Sequence, residues 1–556
     1  MFSFLKNGTY IFKRKQEDIL SAAFIISLSF VFAKILGFIK LRLLAAYFGS
    51  NLVLLDSYFA ATAFPDAIFE VLIYGTIALA FIPVFSKYHS HKKLQKAWQL
   101  ASALITLGFL IFVVFALIFF FFANKFAPIL APGLVKQYPE TRAIIGHLLQ
   151  IIIFSQMFFV ISIFITGILQ SFQRFLVPAL ASIFYNLGII ISIIFLVPVF
   201  GIYAAAIGMV LGALLHLLIQ LPLAQSFGFK FRPNFNFKNK EVLEMLSLMW
   251  PRSITIGLTR LSEIINTALA SLTVVGSIAA LNFAQVLQIV PISFFGTSIA
   301  QAAFAFLSIE YNKGRKNQFK KLFTQSLHQI LFLVLPIAAI LAVLRVPTVR
   351  LFFGAPDLPW ETTVLTSRTL LAFSVGIAAQ AANLLLIRGF HATRDSVTPL
   401  KVSSVTTVVN VILSLVLILI LHKSIIWLAL SFSLTNSLAA LLMLYLLDKK
   451  LGGFAQKELL IPIFKMGFIS FLTAIALYIP MKLLDQLVFD TTRNVGLILL
   501  TSTATAVGLI VYISLSWIFK VEQLVIFVGF ARRVLSWPAK LKAPPPTPIE
   551  AQSQTP

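Results

Sequence analysis

Residues 104–122 read LITLGFLIFVVFALIFFFF, with no charged residue. About twenty apolar residues in a helix, rising ~1.5 Å each, cover the hydrocarbon core of a bilayer. A strand of a membrane barrel would alternate apolar and polar residues, whereas this run and Val411–Leu421 are continuous, so helices are the expected spanning element. Working outward with Pro, Gly and charge clusters as breaks, about fourteen such segments can be placed. They are 18–48, 55–86, 97–124, 143–172, 176–199, 201–226, 242–272, 276–309, 321–353, 362–391, 397–421, 424–447, 459–484 and 494–519. The composition agrees: 59% hydrophobic, 11% charged, mean hydropathy +0.96. The expected fold class is an all-α polytopic membrane protein with no large soluble domain.

The net charge of +25 does not indicate nucleic acid, because the basic residues sit between apolar segments rather than on a soluble surface. Connections after even-numbered segments are basic, as at Lys87–Lys96, Arg174, Lys230–Lys240, Lys313–Lys321, Arg388–Lys401 and Lys449–Lys457. Those after odd-numbered ones are short or nearly neutral, such as Thr273–Ser277 and Ala355–Glu361. The positive-inside rule then places both termini in the cytoplasm, with Lys13–Lys15 holding the first. The first apolar segment is too long and too charged for a cleaved signal peptide and reads as a retained helix. Without cysteine there is neither a disulfide nor a thiolate metal site. No phosphate-binding loop and no metal-ligand cluster is present, so no cofactor is expected; His147 stands alone in an apolar helix and reads as a packed residue.

Gly75-Thr76, followed by Ala80-Phe81, Ser86 and Tyr88, recurs as Gly296-Thr297, followed by Ala303-Phe304, Ser308 and Tyr311. Gln170-Ser171-Phe172, Arg174 and Pro178 recur at nearly the same offset as Arg388-Gly389-Phe390, Arg394 and Pro399. Six spans separate the copies, so the halves share one orientation. Parallel repeats of this kind build alternating-access transporters with a site between the halves near the midplane. The expected divisions are an N-lobe over 1–226, an interfacial linker over 227–241, a C-lobe over 242–447, two further spans within 448–528 and a Pro-rich cytoplasmic tail over 529–556. The linker alternates Phe with basic or polar residues, from Phe229-Lys230-Phe231-Arg232 onward, which suits the headgroup layer.

Three cations lie in the first segment: Lys34, Lys40 and Arg42. A cation near the bilayer centre costs roughly 2.5–3.5 kcal/mol on insertion scales, so these side chains should face protein or water and point to an anion pathway. On a straight helix Lys34 and Arg42 lie roughly 80° apart and Lys40 on another side, and Gly37 offers a bend between them. Lys40 and Arg42 can equally snorkel to the outer interface while Lys34 pairs with an acid. The second segment supplies Asp56, then Asp66 and Glu70 on one helical face after Pro65, which can neutralise the cations when the site is empty. Segment seven adds Arg252 after Pro251, a potential kink, then Arg260 and Glu263 at i,i+3, with Arg260 a candidate for facing the cavity. Asn266, Asn410 and Ser414 offer neutral ligands for a cation.

At these residues the chain resembles the MurJ/MviN family of lipid II flippases, within the superfamily that includes multidrug (MATE) exporters and polysaccharide flippases. The stretches carrying the likeness include Lys34 to Lys40, Asp56 to Ala60, Ala80 to Val84, Phe172 to Phe175 with Pro178-Ala179, Ile265 to Thr267, and Arg388 to Ala392 with Asp395 to Pro399. The resemblance implies two six-helix lobes, a central cationic cavity for a lipid-linked pyrophosphate, and two C-terminal helices forming a groove for the polyprenyl tail. It carries over Lys34 and Lys40, where the family commonly has arginine, and Asp56, which matches its aspartate. A lysine keeps the charge but not the bidentate phosphate grip of a guanidinium. Phe69 and Val286 stand where many members have arginine, and Arg42 or Arg260 would compensate.

The expected function is a flippase without covalent chemistry. It would move the peptidoglycan precursor lipid II to the outer leaflet of a bacterial plasma membrane, driven by the membrane potential or an ion gradient. Expected partners are a lipid-linked pyrophosphoryl oligosaccharide, membrane lipids and cell-wall synthesis enzymes, with no nucleic acid. The alternatives are a flippase for another polyprenyl-pyrophosphate-linked sugar, a MATE-like exporter, against which the first-segment cations count, and a non-transporting cell-wall scaffold, which loss of the family arginines keeps open.

Overall fold

The computed structural model describes residues 19–72, 81–90, 94–484 and 494–535. The Gly75-Thr76 and Ala80 repeat positions, Lys13–Lys15 and Ala543–Pro556 lie outside them, as do the side chains of Phe69, Pro251 and Arg252. The described residues form helices throughout: α1 (Ile19–Phe48), α2 (Leu52–Leu72), α3 (Ile82–Ser90), α4 (Leu94–Leu130), α5 (Pro132–Gln137), α6 (Thr141–Ser171) and α7 (Leu176–Phe200) come first. α8 (Tyr203–Leu218), α9 (Leu221–Ser226), α10 (Lys240–Ala270), α11 (Ser277–Pro291), α12 (Ser298–Asn312), α13 (Lys316–Val343) and α14 (Arg345–Phe353) follow. The last are α15 (Trp360–Ser374), α16 (Ile377–Ala392), α17 (Val397–Leu415), α18 (Ile425–Leu451), α19 (Gln456–Leu483), α20 (Asn494–Ile518) and α21 (Glu522–Leu535).

Among the described residues ten helices are long and apolar enough to cross a membrane, or eleven when α15 and α16 count as one broken span. α1, α2 and α10 are not among them, and these are the helices that carry Lys34, Lys40, Asp66, Glu70, Arg260 and Glu263. Each of the fourteen expected segments falls mostly on helix where it is described. The segments are not all single rods. The ninth ends at Val343 and restarts as α14, the tenth breaks after Ser374, and a π-helical stretch, Ile292–Thr297, follows Pro291 in the eighth. The backbone polar groups of such helices have no water to turn to, and the hydroxyls within them do not either. Ser57, Thr106, Thr366 and Thr473 donate to carbonyls four residues earlier at 2.7–2.8 Å, which satisfies them without a second helix. Large side chains on the outer surface are apolar, with Phe121, Phe195, Phe464 and Trp517 all above 70% exposed, as lipid contact requires.

The chain packs as two compact units. The first comprises Met1–Val290, Arg345–Gly376 and Ser396–Leu442, the second Pro291–Leu344, Ile377–Asp395 and Met443–Pro556. In the first, α7 and α8 meet at Gly188 and Gly212: a Cβ on Gly188 would lie 2.5 Å from the Gly212 Cα, so only glycine permits the approach. The linker is strapped along α4. The backbone N–H of Asn234 donates to Thr106 Oγ1 at 3.2 Å, and Phe229 is buried against Trp98, while Phe231 and Phe235 stay exposed. In the second unit α13, α19 and α20 share a core of Ile340, Leu477 and Leu500, and the Tyr512 hydroxyl donates to the Phe332 carbonyl at 2.9 Å. The expected division at residue 528 falls inside α21.

The internal repeat survives with a corrected register. Gln173 and Arg394 both take left-handed backbone, φ 58° and 59°. In the matching turns the Arg174 N–H donates to Leu169 O at 2.9 Å and the Asp395 N–H to Phe390 O at 3.0 Å. The structural offset is therefore 221 residues, which pairs Gln173 with Arg394 and Arg174 with Asp395, rather than Arg174 with Arg394. The sequence match slipped because both turns carry an arginine, one position apart.

Candidate functional site

The charged residues of α1, α2 and α10 form one cluster in the first unit. Glu70 of α2 and Glu263 of α10 both grip Arg260 of α10, Glu70 on Nη2 and Glu263 on Nη1. Lys34 is half-buried, with its ammonium 5.4 Å from the centre of the Phe30 ring and within electrostatic reach of Glu70. Lys40 interacts with Asp66, and Asp66 with Arg260 as well. Asp66 is exposed although it sits fourteen residues into α2. α2 runs on through Pro65, α10 through Pro251 and α1 through Gly37, each as an unbroken helix. The cluster thus holds three cations, Lys34, Lys40 and Arg260, against three acids, Asp66, Glu70 and Glu263.

Arg42 and Asp56 are each held at a helix end. Arg42 Nη1 donates to the Leu351 carbonyl at 2.6 Å, in the last turn of α14, where helix carbonyls lack partners. Asp56 is buried and caps the opposite kind of end: Oδ2 accepts the Gly276 N–H at 2.7 Å and Oδ1 the Ala279 N–H at 2.8 Å, at the start of α11. A cation on a helix C-terminus and a carboxylate on a helix N-terminus match both dipoles. Aromatic packing surrounds these ties, with Phe38 against Phe352 at 4.5 Å and Phe283 against Phe353 at 4.4 Å. Glycine at 133 brings α5 to the chain after α10, and its N–H takes Ser271 Oγ at 3.0 Å.

Asn266 and Asn410 come together. Asn410 Oδ1 accepts from Ser262 Oγ at 3.1 Å and Asn266 Nδ2 at 3.4 Å, and its Nδ2 donates to Ser431 Oγ at 3.1 Å. Asn266 Oδ1 and Ser414 Oγ are buried and have no hydrogen-bond partner among the described residues. Among the described residues no group of three or more His, Cys, Asp or Glu is placed to hold a metal. Val286 packs against the apolar core of the first unit. Sequence reading missed the His216 network in α8, where Ser162 Oγ meets Nδ1 at 2.6 Å and Gln220 joins both Ser162 and Thr166. The signal was there: His216 and Gln220 are one helical turn apart in an otherwise apolar stretch.

The sequence model of the family described as "Lipid II flippase MurJ" matches residues 44–497 of this chain. The chain belongs to the MurJ family. A relative from Buchnera aphidicola subsp. Acyrthosiphon pisum, named a probable lipid II flippase MurJ, is 29% identical over 423 residues, 75% of this chain and 82% of its own length. A solved structure of a lipid II flippase MurJ in an inward closed conformation superposes with a TM-score of 0.74 at 23% identity, covering 89% of this chain and 98% of that one. An inward-facing MATE family multidrug transporter of the MOP superfamily follows at TM-score 0.63 and 13% identity, covering 75% and 94%. MurJ membership bears out the expected family, the all-helical multi-pass membrane fold and the class of flippase rather than enzyme.

Proposed function

We propose that this protein carries lipid II, as its lipid-linked pyrophosphate, from the inner to the outer leaflet of a bacterial plasma membrane, with both termini in the cytoplasm. The observation that supports this reading is the charged cluster of α1, α2 and α10. Three cations grouped with three carboxylates, one of them exposed, are the chemistry that receives a pyrophosphate and lets it go again. Lys34, Lys40 and Arg260 bind the pyrophosphate; Arg42 and Asp56 tie helix ends that part when the site opens outward. The repeats act as lobes that alternate around the site, powered by the membrane potential or an ion gradient, for which the Asn266, Asn410 and Ser414 group is the candidate cation site. The polyprenyl tail lies in an apolar groove of about 500 Å³ between α13, α16 and α19, lined by Leu331, Ala378, Ala382, Phe464, Gly467 and Phe471.

The test is rescue of bacteria depleted of their own lipid II flippase. The parent chain should restore growth and lipid II translocation, Lys34→Arg should do the same, and Lys34→Ala should not. A well-expressed, inserted parent that fails to rescue, or an Ala variant that rescues fully, removes the reading.

A further inference from the structure

Arg260 has two carboxylate partners of different kinds. Glu263 is three residues away on the same helix and travels with it. Glu70 belongs to α2, so its bridge to Arg260 is a tie between two helices that pack side by side. Both carboxylates bind the guanidinium, whose donors are the ones a pyrophosphate would take up. Lys34 interacts electrostatically with Glu70, and Lys40 with Asp66, the acid one turn before Glu70 on α2.

We propose that the Glu70–Arg260 bridge is a lock which the incoming pyrophosphate opens by displacing Glu70, leaving Glu263 in place. The ligand takes over Glu70's donors on Arg260 and adds the Lys34 and Lys40 ammoniums, which Glu70 and Asp66 cannot match from one position. Binding and unlocking are then a single exchange of anions: the tie between α2 and α10 is lost only where a diphosphate takes its place. Glu70 sets specificity by the same means, since a ligand with one phosphate charge competes poorly against a carboxylate already seated on Arg260. The inference rests on the flippase reading and adds to it a named competitor and the helix pair that the competition releases.

The experiment uses the full chain in lipid nanodiscs with a polyprenyl pyrophosphate and the corresponding polyprenyl monophosphate as probes. The chain lacks cysteine, so spin labels on Ala63→Cys of α2 and Ser247→Cys of α10 report the separation of the two helices without background. In the parent the pyrophosphate should change the label distance distribution and the monophosphate should not. Glu70→Gln should bind the pyrophosphate at least 10-fold more tightly, bind the monophosphate detectably, and show the changed distribution without ligand. Glu263→Gln should leave the ligand-free distribution of the parent intact. The swap of Glu70→Arg with Arg260→Glu rebuilds the tie and checks folding; it should keep the ligand-free distribution. A parent that binds and rescues while Glu70→Gln leaves affinity and distances unchanged overturns the lock alone. A parent that neither binds the pyrophosphate nor rescues growth overturns the flippase reading and the lock with it.

Discussion

Asp56→Asn should loosen the end of α2 from the start of α11, and the structure sets the size of the effect. The carboxylate holds the Gly276 and Ala279 N–H groups at 2.7 and 2.8 Å from a buried position. Asparagine keeps one acceptor and turns an NH₂ toward the other N–H, so one charge-assisted hydrogen bond, about 1.5–3 kcal/mol, is lost. The negative charge at a helix N-terminus goes too, up to about 2 kcal/mol in a partly buried setting. A combined loss near 3 kcal/mol raises the population of the parted state roughly 100-fold, at about 1.4 kcal/mol per factor of ten. Leu55, fully buried beside Asp56, is the reporter. With Leu55→Cys in the cysteine-free chain, a membrane-impermeant maleimide added outside intact cells should label the Asp56→Asn variant about 100-fold faster than the parent. Equal labelling at equal expression would refute the reasoning, because it would mean that the cap adds nothing to closure.

Arg42→Ala removes a charged donor from the Leu351 carbonyl and should cut hydrogen-exchange protection across Arg345–Phe353 by ten-fold or more, from about 1.5–3 kcal/mol; unchanged protection would free Arg42 for another role. Gly188→Ala forces a Cβ to within 2.5 Å of Gly212 and should cost about 1–3 kcal/mol, read as a lower Tm in detergent, whereas Gly257→Ala, with open space at its Cβ, should hold or raise Tm. Asn410→Ala leaves Ser262, Asn266 and Ser431 without that partner and should abolish any rise in Tm that sodium gives the parent over a bulky organic cation; an equal rise in both would remove Asn410 from the proposed cation site.

The spans were legible because a bilayer leaves a helix few ways to satisfy its backbone, and runs such as 104–122 admit one reading. Interruptions within spans were harder: Pro291 precedes a π segment, yet Pro65, Pro128 and Pro336 sit inside helices that continue. A proline signals a missing N–H, and whether the backbone yields depends on neighbours that sequence spacing does not reveal. The acids of α2 were readable as partners for cations, since Asp66 and Glu70 share a face. The task of Arg42 was not, because its partner is a backbone carbonyl 309 residues away and any residue carries one. The same blindness hid Asp56's role: its two ligands are N–H groups at a helix start, which composition cannot mark.

The balance of the charged cluster bears on turnover. A carrier that held a pyrophosphate on unopposed cations would pull it from water strongly and surrender it slowly, because added affinity appears mostly as slower dissociation. Here the side chain at 286 is apolar and packed, and each cation of the cluster has an acid within reach. On the proposed reading, an arriving anion gains only the difference between itself and the carboxylate it displaces, and a departing one is replaced as it leaves. The acids therefore lower affinity in the resting site and shorten the stay of the bound ligand together. That trade favours a flippase over a receptor, and it makes the carboxylates, rather than the cations alone, the residues whose neutralisation should convert a carrier into a binder.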